Sequence, residues 1–343
     1  MIYLFALSIA FILSTGLTLL VKILATKLGI FDLPAPRKIH KRPTPLLGGV
    51  AIYLAFSLTA GLFWFNGYLN DSKINNYHIT AILIGGLILI IGGLLDDKYN
   101  IKPHQQLIFP VLATLTLLLS GAKILFVTNP LGGIIEFPVF LGTVTTFFWI
   151  MGMIYTTKFL DGLDALTSGI TAIGSIIIFI VSLYWDVSLS GTSILALILA
   201  GSTLGFLIFN WHPAKIFLGE GGSVLCGFLL GTLSIISGSK IATALLIMGI
   251  PILDVAWVIV QRLWFKKSPA IGDRRHLHYR LLDLGLSHRQ TVIFLYFITA
   301  VSGTISLFLH SKGKVLALVV LAVFMIVLAS LVLSIHHRKH HEI

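Results

Sequence analysis

Long apolar runs recur along the whole chain and are separated by short polar segments. Each run spans roughly 20 residues, the length that an α-helix needs to cross the hydrocarbon core of a bilayer. Strands of a membrane β-barrel would instead alternate apolar and polar residues. The pattern therefore predicts an all-α integral membrane protein with about eleven transmembrane helices, at residues 2–21, 47–65, 79–95, 105–121, 142–160, 166–184, 192–210, 222–238, 240–261, 290–310 and 314–335.

The composition agrees with a surface that faces lipid. Hydrophobic residues make up 57% of the 343 residues, charged residues make up only 11%, and the mean hydropathy is +0.98. A soluble domain carries about 25% charged residues because its surface faces water. No linker rich in Ser, Gly or Pro divides the chain, so we expect one polytopic domain over residues 1–343. The single cysteine, Cys226, lies in an apolar run, which excludes a disulfide framework.

Basic residues predict the orientation of the helices. Of the 24 Lys and Arg, nineteen fall on one set of alternate connections and five on the other, and basic loops stay cytoplasmic. We therefore expect a multi-pass protein of the plasma (inner) membrane with the N-terminus outside and the C-terminus inside. The expected cytoplasmic loops are 28–46, 96–104, 155–166, 210–222 and 262–289.

Two further features of the connections have a simple interpretation. The longest outer connection, 128–138, carries Asn129-Pro130 and Gly132-Gly133 between short β-prone segments and predicts a small external β-hairpin. The net charge of +11 suits anionic lipid and nucleotide phosphates. No soluble basic module accompanies it, so nucleic acid is not an expected partner.

The acidic residues gather on the predicted inner face. Only Asp71, Glu136 and Asp186 of the 13 Asp and Glu fall outside. A carboxylate near hydrocarbon costs about 2.5 kcal/mol or more, so several together need a cation or a cavity. The adjacent pair Asp96-Asp97 therefore indicates a metal or a shared proton, with capping of the next helix as the structural alternative.

Three other segments carry candidate chemistry on this face. Asp161 and Asp164 have the i, i+3 spacing that places two carboxylates on one side of a helix, with helix capping as the alternative. The glycine-rich turn Gly219–Ser223 opens a helix, where backbone N–H groups favour an anion; Glu220 beside it can hold a hard cation. The segment 272–280 is rich in Arg and His, which suits phosphate oxygens better than zinc, and contact with anionic lipid is its alternative.

Taken in order, these motifs resemble the polyprenyl-phosphate N-acetylhexosamine-1-phosphate transferases, the superfamily that includes the phospho-MurNAc-pentapeptide translocase. Asp96-Asp97 is similar to the paired-Asp motif of that family, and Asp161-Gly162-Leu163-Asp164 to its DGxDG motif. Residues 210–223 resemble its N-x-x-P-A-K-x-F-x-G-[DE]-x-x-S segment, His276-Leu277-His278 its His loop, and residues 37–49 its first inner loop. The resemblance covers nearly the whole chain.

The resemblance implies a reaction. A polyprenyl (undecaprenyl) phosphate in the membrane attacks the β-phosphate of a UDP-N-acetylamino sugar, giving polyprenyl-diphosphate-sugar and UMP with Mg²⁺, or with Mn²⁺ as the alternative ion. It implies catalytic roles for Asp96, Asp97, Asp161 and Asp164, and a metal held by Asp161 and Glu220. Substrate contacts are expected from Lys38, His40, Lys158, Asn210, Lys215, Ser223, Arg275, His276 and His278. Membrane lipid is a further partner, and a homodimer stays open.

The chain departs from the family pattern at five positions. Tyr155 and Lys158 stand where the family commonly has Asn, Ala165 replaces the second Gly of DGxDG, Glu220 replaces Asp, and Tyr279 takes a common His position. We therefore expect activity with rearranged metal and phosphate contacts.

Several alternative functions stay open at this point. Because the His loop differs from the adjacent histidines of the translocase, UDP-GlcNAc is favoured over UDP-MurNAc-pentapeptide as the donor. A catalytically inactive relative is another alternative. A transporter would place acids at mid-span, where Asp254 is the only candidate. A CDP-alcohol phosphotransferase would need further spaced Asp residues after Asp161-Gly162, and these are absent.

Overall fold

The computed structural model describes residues 1–34, 40–71, 73–185, 189–237, 241–264 and 276–341, and it is predominantly helical. Two short β-hairpins accompany the helices: Phe31–Asp32 (β1) pairs antiparallel with Thr44–Pro45 (β2), and Phe126–Thr128 (β3) with Ile134–Glu136 (β4). The helices are α1 (Ile2–Leu28), α2 (Gly48–Phe65), α3 (Asn76–Tyr99), α4 (Pro103–Gln106), α5 (Ile108–Leu119), α6 (Val139–Leu160), α7 (Leu166–Trp185), α8 (Gly191–Asn210), α9 (Gly219–Ile236), α10 (Ile241–Ile247), α11 (Gly249–Trp264), α12 (Leu277–Asp283), α13 (His288–Phe308) and α14 (Ser311–His341).

Every predicted apolar run is helical in the described residues, but the runs are not equally fit to cross a membrane. Nine helices there are long and apolar enough, and a bent pair brings the number to ten. The fourth predicted run is shorter, because α5 has only 12 residues and the polar α4 precedes it. The chain is thus a multi-pass, all-α membrane protein. The described residues contain about nine such spans, whereas the sequence predicts about eleven.

The ninth predicted run, 240–261, is broken into α10 and α11, which meet at an angle of 75°. Pro251 explains the break, because its ring would clash with the carbonyl of Ile247 four residues earlier and it lacks an N–H to donate. A break of this kind is tolerated in a membrane only where the freed backbone groups are shielded by protein.

Helix α9 is the centre of the bundle, with 94% of its span buried, whereas only 28% of the α1 span and 11% of the α14 span are buried. Glycines allow its neighbours to approach closely. A Cβ on Gly93 of α3 would lie 2.1 Å from the Cα of Gly221, and a Cβ on Gly49 of α2 would lie 2.3 Å from the Cα of Gly222. Small residues of this kind are what helix association in lipid relies on.

The same device joins α1 to α8. A Cβ on Gly201 would lie 2.4 Å from the carbonyl oxygen of Leu7, and one on Gly205 would lie 2.5 Å from that of Phe11. The hydroxyl of Ser14 donates a hydrogen bond to the carbonyl of Ser202 at 2.5 Å. These contacts set the distance between α1 and α8, and α8 ends at Asn210, one of the expected site residues.

We predict that Gly93→Ala destabilises the protein by about 1–3 kcal/mol, because the added methyl group forces α3 away from α9. Thermal unfolding in detergent measures this as a lower Tm. Gly152→Ala is the matched control, since a Cβ at this position of α6 meets nothing within 4 Å; it should be neutral or stabilising. A Tm for Gly93→Ala at or above that of Gly152→Ala would contradict the close packing.

Candidate active site

A cavity of about 910 Å³ opens at one end of the bundle. The C-terminal ends of α3, α6 and α8 meet there with the N-terminal ends of α9 and α13. The cavity is within the size range of small-molecule sites. Nine of the site residues expected from the sequence line it: His40, Asp96, Asp97, Lys158, Asp161, Asp164, Asn210, Glu220 and Ser223.

Asp97 lies against the first turn of α9. The backbone N–H of Glu220 donates a hydrogen bond to its Oδ1 at 3.1 Å. Gly219 has a φ of +76°, and a Cβ there would lie 2.5 Å from Oδ2 of Asp97, so only glycine fits. The positive end of α9 thus stabilises a carboxylate of the protein itself. The glycine-rich turn, which the sequence indicated as an anion site, therefore already contacts the carboxylate of Asp97. Asp97 caps α9 and not the next helix along the chain.

A polar chain crosses the cavity from Asp96 to Glu220. Gln106 donates through Nε2 to Oδ1 of Asp96 at 2.8 Å and accepts through Oε1 from Nζ of Lys158, also at 2.8 Å. The Lys158 ammonium lies 2.5 Å from Oε1 of Glu220. Sequence reasoning missed Gln106, a polar residue at the start of the predicted run 105–121. Glu220, expected at a metal, is paired with a lysine.

Asp161 and Asp164 lie in a tight turn rather than on a helix, which differs from the helical spacing considered for them. Helix α6 ends at Leu160, and the N–H of Gly162 donates to the carbonyl of Leu160 at 2.7 Å. Asp161 is exposed to the cavity, and neighbouring protein groups replace part of the water around its carboxyl group. This loss of surrounding water, together with the nearby carboxylate of Glu220, raises the pKa of Asp161 to about 7. A cation in the cavity would reverse that effect.

Asp164 belongs to a group with two histidines that sequence reasoning missed. Its Oδ2 lies 2.6 Å from Nδ1 of His212 and accepts a hydrogen bond from the N–H of Ala214 at 3.1 Å. The ring of His288 stacks on that of His212 with centroids 3.9 Å apart. Atoms of Asp164, His212 and His288 suited to bind a metal all lie within 4.8 Å of one another. The only sequence signal for His212 was its place between Asn210 and Lys215.

Asn210 braces the site and has little capacity left for a ligand. Its Oδ1 accepts hydrogen bonds from the N–H of Ala165 at 2.9 Å and the hydroxyl of Ser168 at 3.0 Å, and its Nδ2 donates to the carbonyl of Ile216 at 3.0 Å. It therefore holds the turn 161–165 against the loop 211–218. The hydroxyl of Ser223 likewise donates to a backbone carbonyl, that of Glu220, at 2.9 Å.

Three of the expected substrate residues, Lys215, His276 and His278, do not line the cavity. Lys215 is exposed and does not line the cavity. Lys38 and Arg275 lie outside the described residues. His276 is buried against Asp254, whose Oδ2 lies 2.8 Å from its Nδ1 and whose Oδ1 accepts the N–H of Leu277 at 2.8 Å. Asp254, the residue that kept a transporter in consideration, thus anchors the start of α12.

His278 supports the Asp161–Asp164 turn from behind instead of facing the cavity. Burial lowers the pKa of His278 to about 3, so the ring is neutral at ordinary pH. A Cβ on Gly162 would lie 2.3 Å from Nε2 of His278 and 2.8 Å from the hydroxyl oxygen of Tyr279. Gly162 therefore allows α12 to pack directly against the Asp161–Asp164 turn. Tyr279, one of the departures from the family pattern, lines the cavity here.

His40 enters the cavity from the other side, on the connection between α1 and α2. Its ring packs edge-on against Phe217 with centroids 5.1 Å apart, and its Nε2 lies 3.7 Å from Oδ2 of Asp32. Asp32 also lines the cavity.

Ala165 has a φ of +70°, the left-handed region that favours glycine. This explains why the DGxDG motif carries a glycine at the corresponding position. The surroundings hold Ala165 in place: its N–H donates to Asn210, its carbonyl accepts from the hydroxyl of Tyr296, and its side chain is buried. A left-handed conformation costs a non-glycine residue about 1–2 kcal/mol.

Residues 79–238 match the family model "Glycosyl transferase family 4". The chain is 31% identical to the probable undecaprenyl-phosphate N-acetylglucosaminyl 1-phosphate transferase of Bacillus subtilis, over 90% of this chain and 86% of the relative. It is 30% identical to the decaprenyl-phosphate N-acetylglucosaminephosphotransferase of Mycolicibacterium smegmatis, over 80% and 74% of the two chains. It is also 30% identical to the undecaprenyl-phosphate alpha-N-acetylglucosaminyl 1-phosphate transferase of Thermotoga maritima, over 78% of each chain.

We predict that Ala165→Gly stabilises the protein by up to about 1 kcal/mol, because glycine relieves the left-handed strain at the loss of one buried methyl group. Ala172→Gly, at a buried position within α7, is the matched control and should destabilise by about 1 kcal/mol. Thermal unfolding of both variants in the same detergent measures the difference. Equal losses of stability in the two variants would show that Ala165 bears no strain.

Proposed function

Because the chain belongs to the membrane-bound polyprenyl-phosphate N-acetylhexosamine-1-phosphate transferases of glycosyl transferase family 4, we propose that it transfers GlcNAc 1-phosphate from UDP-GlcNAc to undecaprenyl or another polyprenyl phosphate and releases UMP. The observation that carries this proposal is the carboxylate-lined cavity at the end of a membrane-spanning bundle. One substrate is a lipid and the other is water-soluble, so their reaction requires a site of this kind. The GlcNAc named in all three relatives supports the choice of sugar.

The proposed chemistry is a phosphoryl transfer. An oxygen of the polyprenyl phosphate forms a bond to the β-phosphorus of UDP-GlcNAc, and the bond from that phosphorus to the bridging oxygen breaks. UMP leaves with the bridging oxygen, and the product is polyprenyl-diphosphate-GlcNAc. Because negative charge is spread over the phosphate oxygens in the transition state, positioning and cationic stabilisation account for most of the catalysis.

The residues at the cavity fit a Mg²⁺ ion. Asp161 and Glu220 present carboxylates to the same space, and Mg²⁺ prefers one or two carboxylates plus substrate phosphates to a full protein cage. We assign Asp161 and Glu220 as the residues that would hold it. When bound, the ion neutralises the diphosphate and polarises the reacting phosphorus. Mn²⁺ accepts the same oxygen donors and is the alternative ion.

The other cavity residues have distinct proposed roles. Asp97, fixed on the first turn of α9, and Asp96, held by Gln106, orient the acceptor phosphate and accept its proton when it arrives as the monoanion. Lys158 contacts the diphosphate of the donor. His212 and His288 lie beside Asp164, where they can donate hydrogen bonds to the donor's sugar or phosphate. Asn210, His276 and His278 act through the loops that they hold.

The proposed site faces the cytoplasm. The support is the charge asymmetry: the connections at the cavity end, including Lys98, Lys102 and Arg289, belong to the basic set, whereas the β3–β4 hairpin belongs to the other. UDP-sugars are made in the cytoplasm, so this orientation gives the donor direct access. The protein thereby lies in the plasma (inner) membrane.

We predict that the purified protein in detergent releases UMP from UDP-GlcNAc when undecaprenyl phosphate and Mg²⁺ are both present. UDP-GalNAc and UDP-MurNAc-pentapeptide are the comparison donors, and each reaction is repeated with a chelator. Release from UDP-MurNAc-pentapeptide alone would move the proposal to the translocase reaction. Release from no donor would overturn the enzyme proposal.

We further predict that Asp161→Asn lowers kcat by about 100-fold or more, as expected when a group that stabilises the transition state is removed. Glu136→Gln is the matched control, because Glu136 is an exposed acidic residue of β4, away from the cavity; it should retain activity within about twofold. Comparable activity of Asp161→Asn and Glu136→Gln would remove Asp161 from the catalytic set.

A further inference from the structure

The ammonium of Lys158 occupies the place beside Glu220 where the proposed cation would bind. Its Nζ lies 2.5 Å from Oε1 of Glu220 and donates to Oε1 of Gln106 at 2.8 Å. The ring of Tyr155, one helical turn earlier, lies with its centroid 5.8 Å from the same nitrogen. The two partners are well shielded, with side-chain exposures of 19% for Lys158 and 21% for Glu220. This pair is therefore far less screened than a surface ion pair.

A divalent cation cannot use Glu220 freely while this ion pair is intact. The carboxylate already has its charge neutralised, and an ammonium a few ångströms from an incoming divalent ion repels it strongly where water is scarce. The side chain of Lys158 is a flexible four-carbon stem, and its three N–H donors suit any anionic oxygen. A diphosphate in the cavity offers such oxygens, so it can draw the ammonium away from Glu220.

We propose that Lys158 makes binding of the divalent cation depend on binding of a diphosphate donor. In the free protein, Lys158 neutralises Glu220 and holds cation affinity low. When the diphosphate enters, the ammonium pairs with a phosphate oxygen and Glu220 becomes available to the cation. The inference rests on the proposed function for the identity of the diphosphate, a nucleoside diphosphate sugar. It predicts that with a neutral residue at position 158, such as the Asn of the family pattern, the cation binds more tightly without the diphosphate and depends on it less.

Thermodynamic linkage makes the effect reciprocal. If the donor raises the affinity for the cation, the cation must raise the affinity for the donor by the same factor. The free protein then keeps Glu220 paired without a metal, and cation and donor assemble together. Asp96 takes part indirectly, because Gln106 connects its carboxylate to the same ammonium.

Direct Mn²⁺ binding tests the inference without requiring turnover. Free Mn²⁺ is measured by electron paramagnetic resonance in titrations of the detergent-solubilised full chain, with and without UDP-GlcNAc, and protein-free titrations correct for Mn²⁺ bound to the nucleotide. We expect saturating UDP-GlcNAc to tighten Mn²⁺ binding by tenfold or more in the wild type. In Lys158→Gln, Mn²⁺ should bind at least tenfold tighter than in the wild type without donor, and UDP-GlcNAc should tighten its binding by a clearly smaller factor than in the wild type, because only the direct contacts between phosphate and cation remain.

Two further variants separate the charge of Lys158 from general effects. Lys158→Arg keeps the positive charge and should retain most of the coupling. Lys98→Gln removes an exposed lysine that does not line the cavity, and it should behave as the wild type. Thermal unfolding of each variant in the same detergent confirms that it is folded before titration.

The inference is overturned if Mn²⁺ binds the wild type equally well with and without UDP-GlcNAc. It is also overturned if Lys158→Gln binds Mn²⁺ no more tightly than the wild type in the absence of donor. The UMP-release assay keeps this outcome distinct from failure of the proposed function. Activity without coupling rejects the inference alone, and tighter donor-free Mn²⁺ binding in Lys158→Gln supports the role of Lys158 even if no donor is turned over.

Discussion

The contact between Asp97 and the first turn of α9 is the interaction on which the rest of the site depends. A carboxylate at the edge of the hydrocarbon region needs compensation, and the N-terminal end of the most buried helix supplies it through the N–H of Glu220. The contact requires α3 and α9 to lie almost backbone to backbone. The absence of side chains at Gly93, Gly219 and Gly221 makes that distance possible.

Once α9 is placed, the positions of the other charged groups follow. Glu220 extends from the same turn into the cavity, where Lys158 of α6 neutralises it, and Gln106 relays a hydrogen bond from Lys158 to Asp96. A helix end, an amide and one ammonium thereby contact Asp97, Asp96 and Glu220, respectively. The same arrangement is poised for phosphate chemistry, because an incoming diphosphate and cation would exchange partners with groups already in place.

A second set of polar contacts holds the loops around the cavity in place. Asn210 connects the Asp161–Asp164 turn to the loop that precedes α9, and Asp254 anchors α12 through His276 and Leu277. Helix α12 then packs on Gly162 through His278 and Tyr279. Some residues that the motifs indicate as substrate contacts, such as Asn210 and His276, already use their hydrogen-bonding groups within the protein. A residue can therefore belong to a motif without contacting a ligand.

The sequence alone determined that this is a helical membrane protein, because repeated apolar runs of about 20 residues match the length of a helix that crosses the hydrocarbon core of a bilayer. It also determined that acidic residues collect at one end of the bundle. Carboxylates are excluded from hydrocarbon, so they lie near the helix ends, and most of them occur each time the chain reaches the same face of the membrane. The order of the motifs led to the family.

Only the tertiary structure decided which groups pair: Lys158 with Glu220, Asp97 with α9, Asp164 with His212, and Asp254 with His276. These partners are 22 to 123 residues apart in the chain, so no local pattern connects them. The helix-to-helix distances that bring them together are set by close packing at glycines.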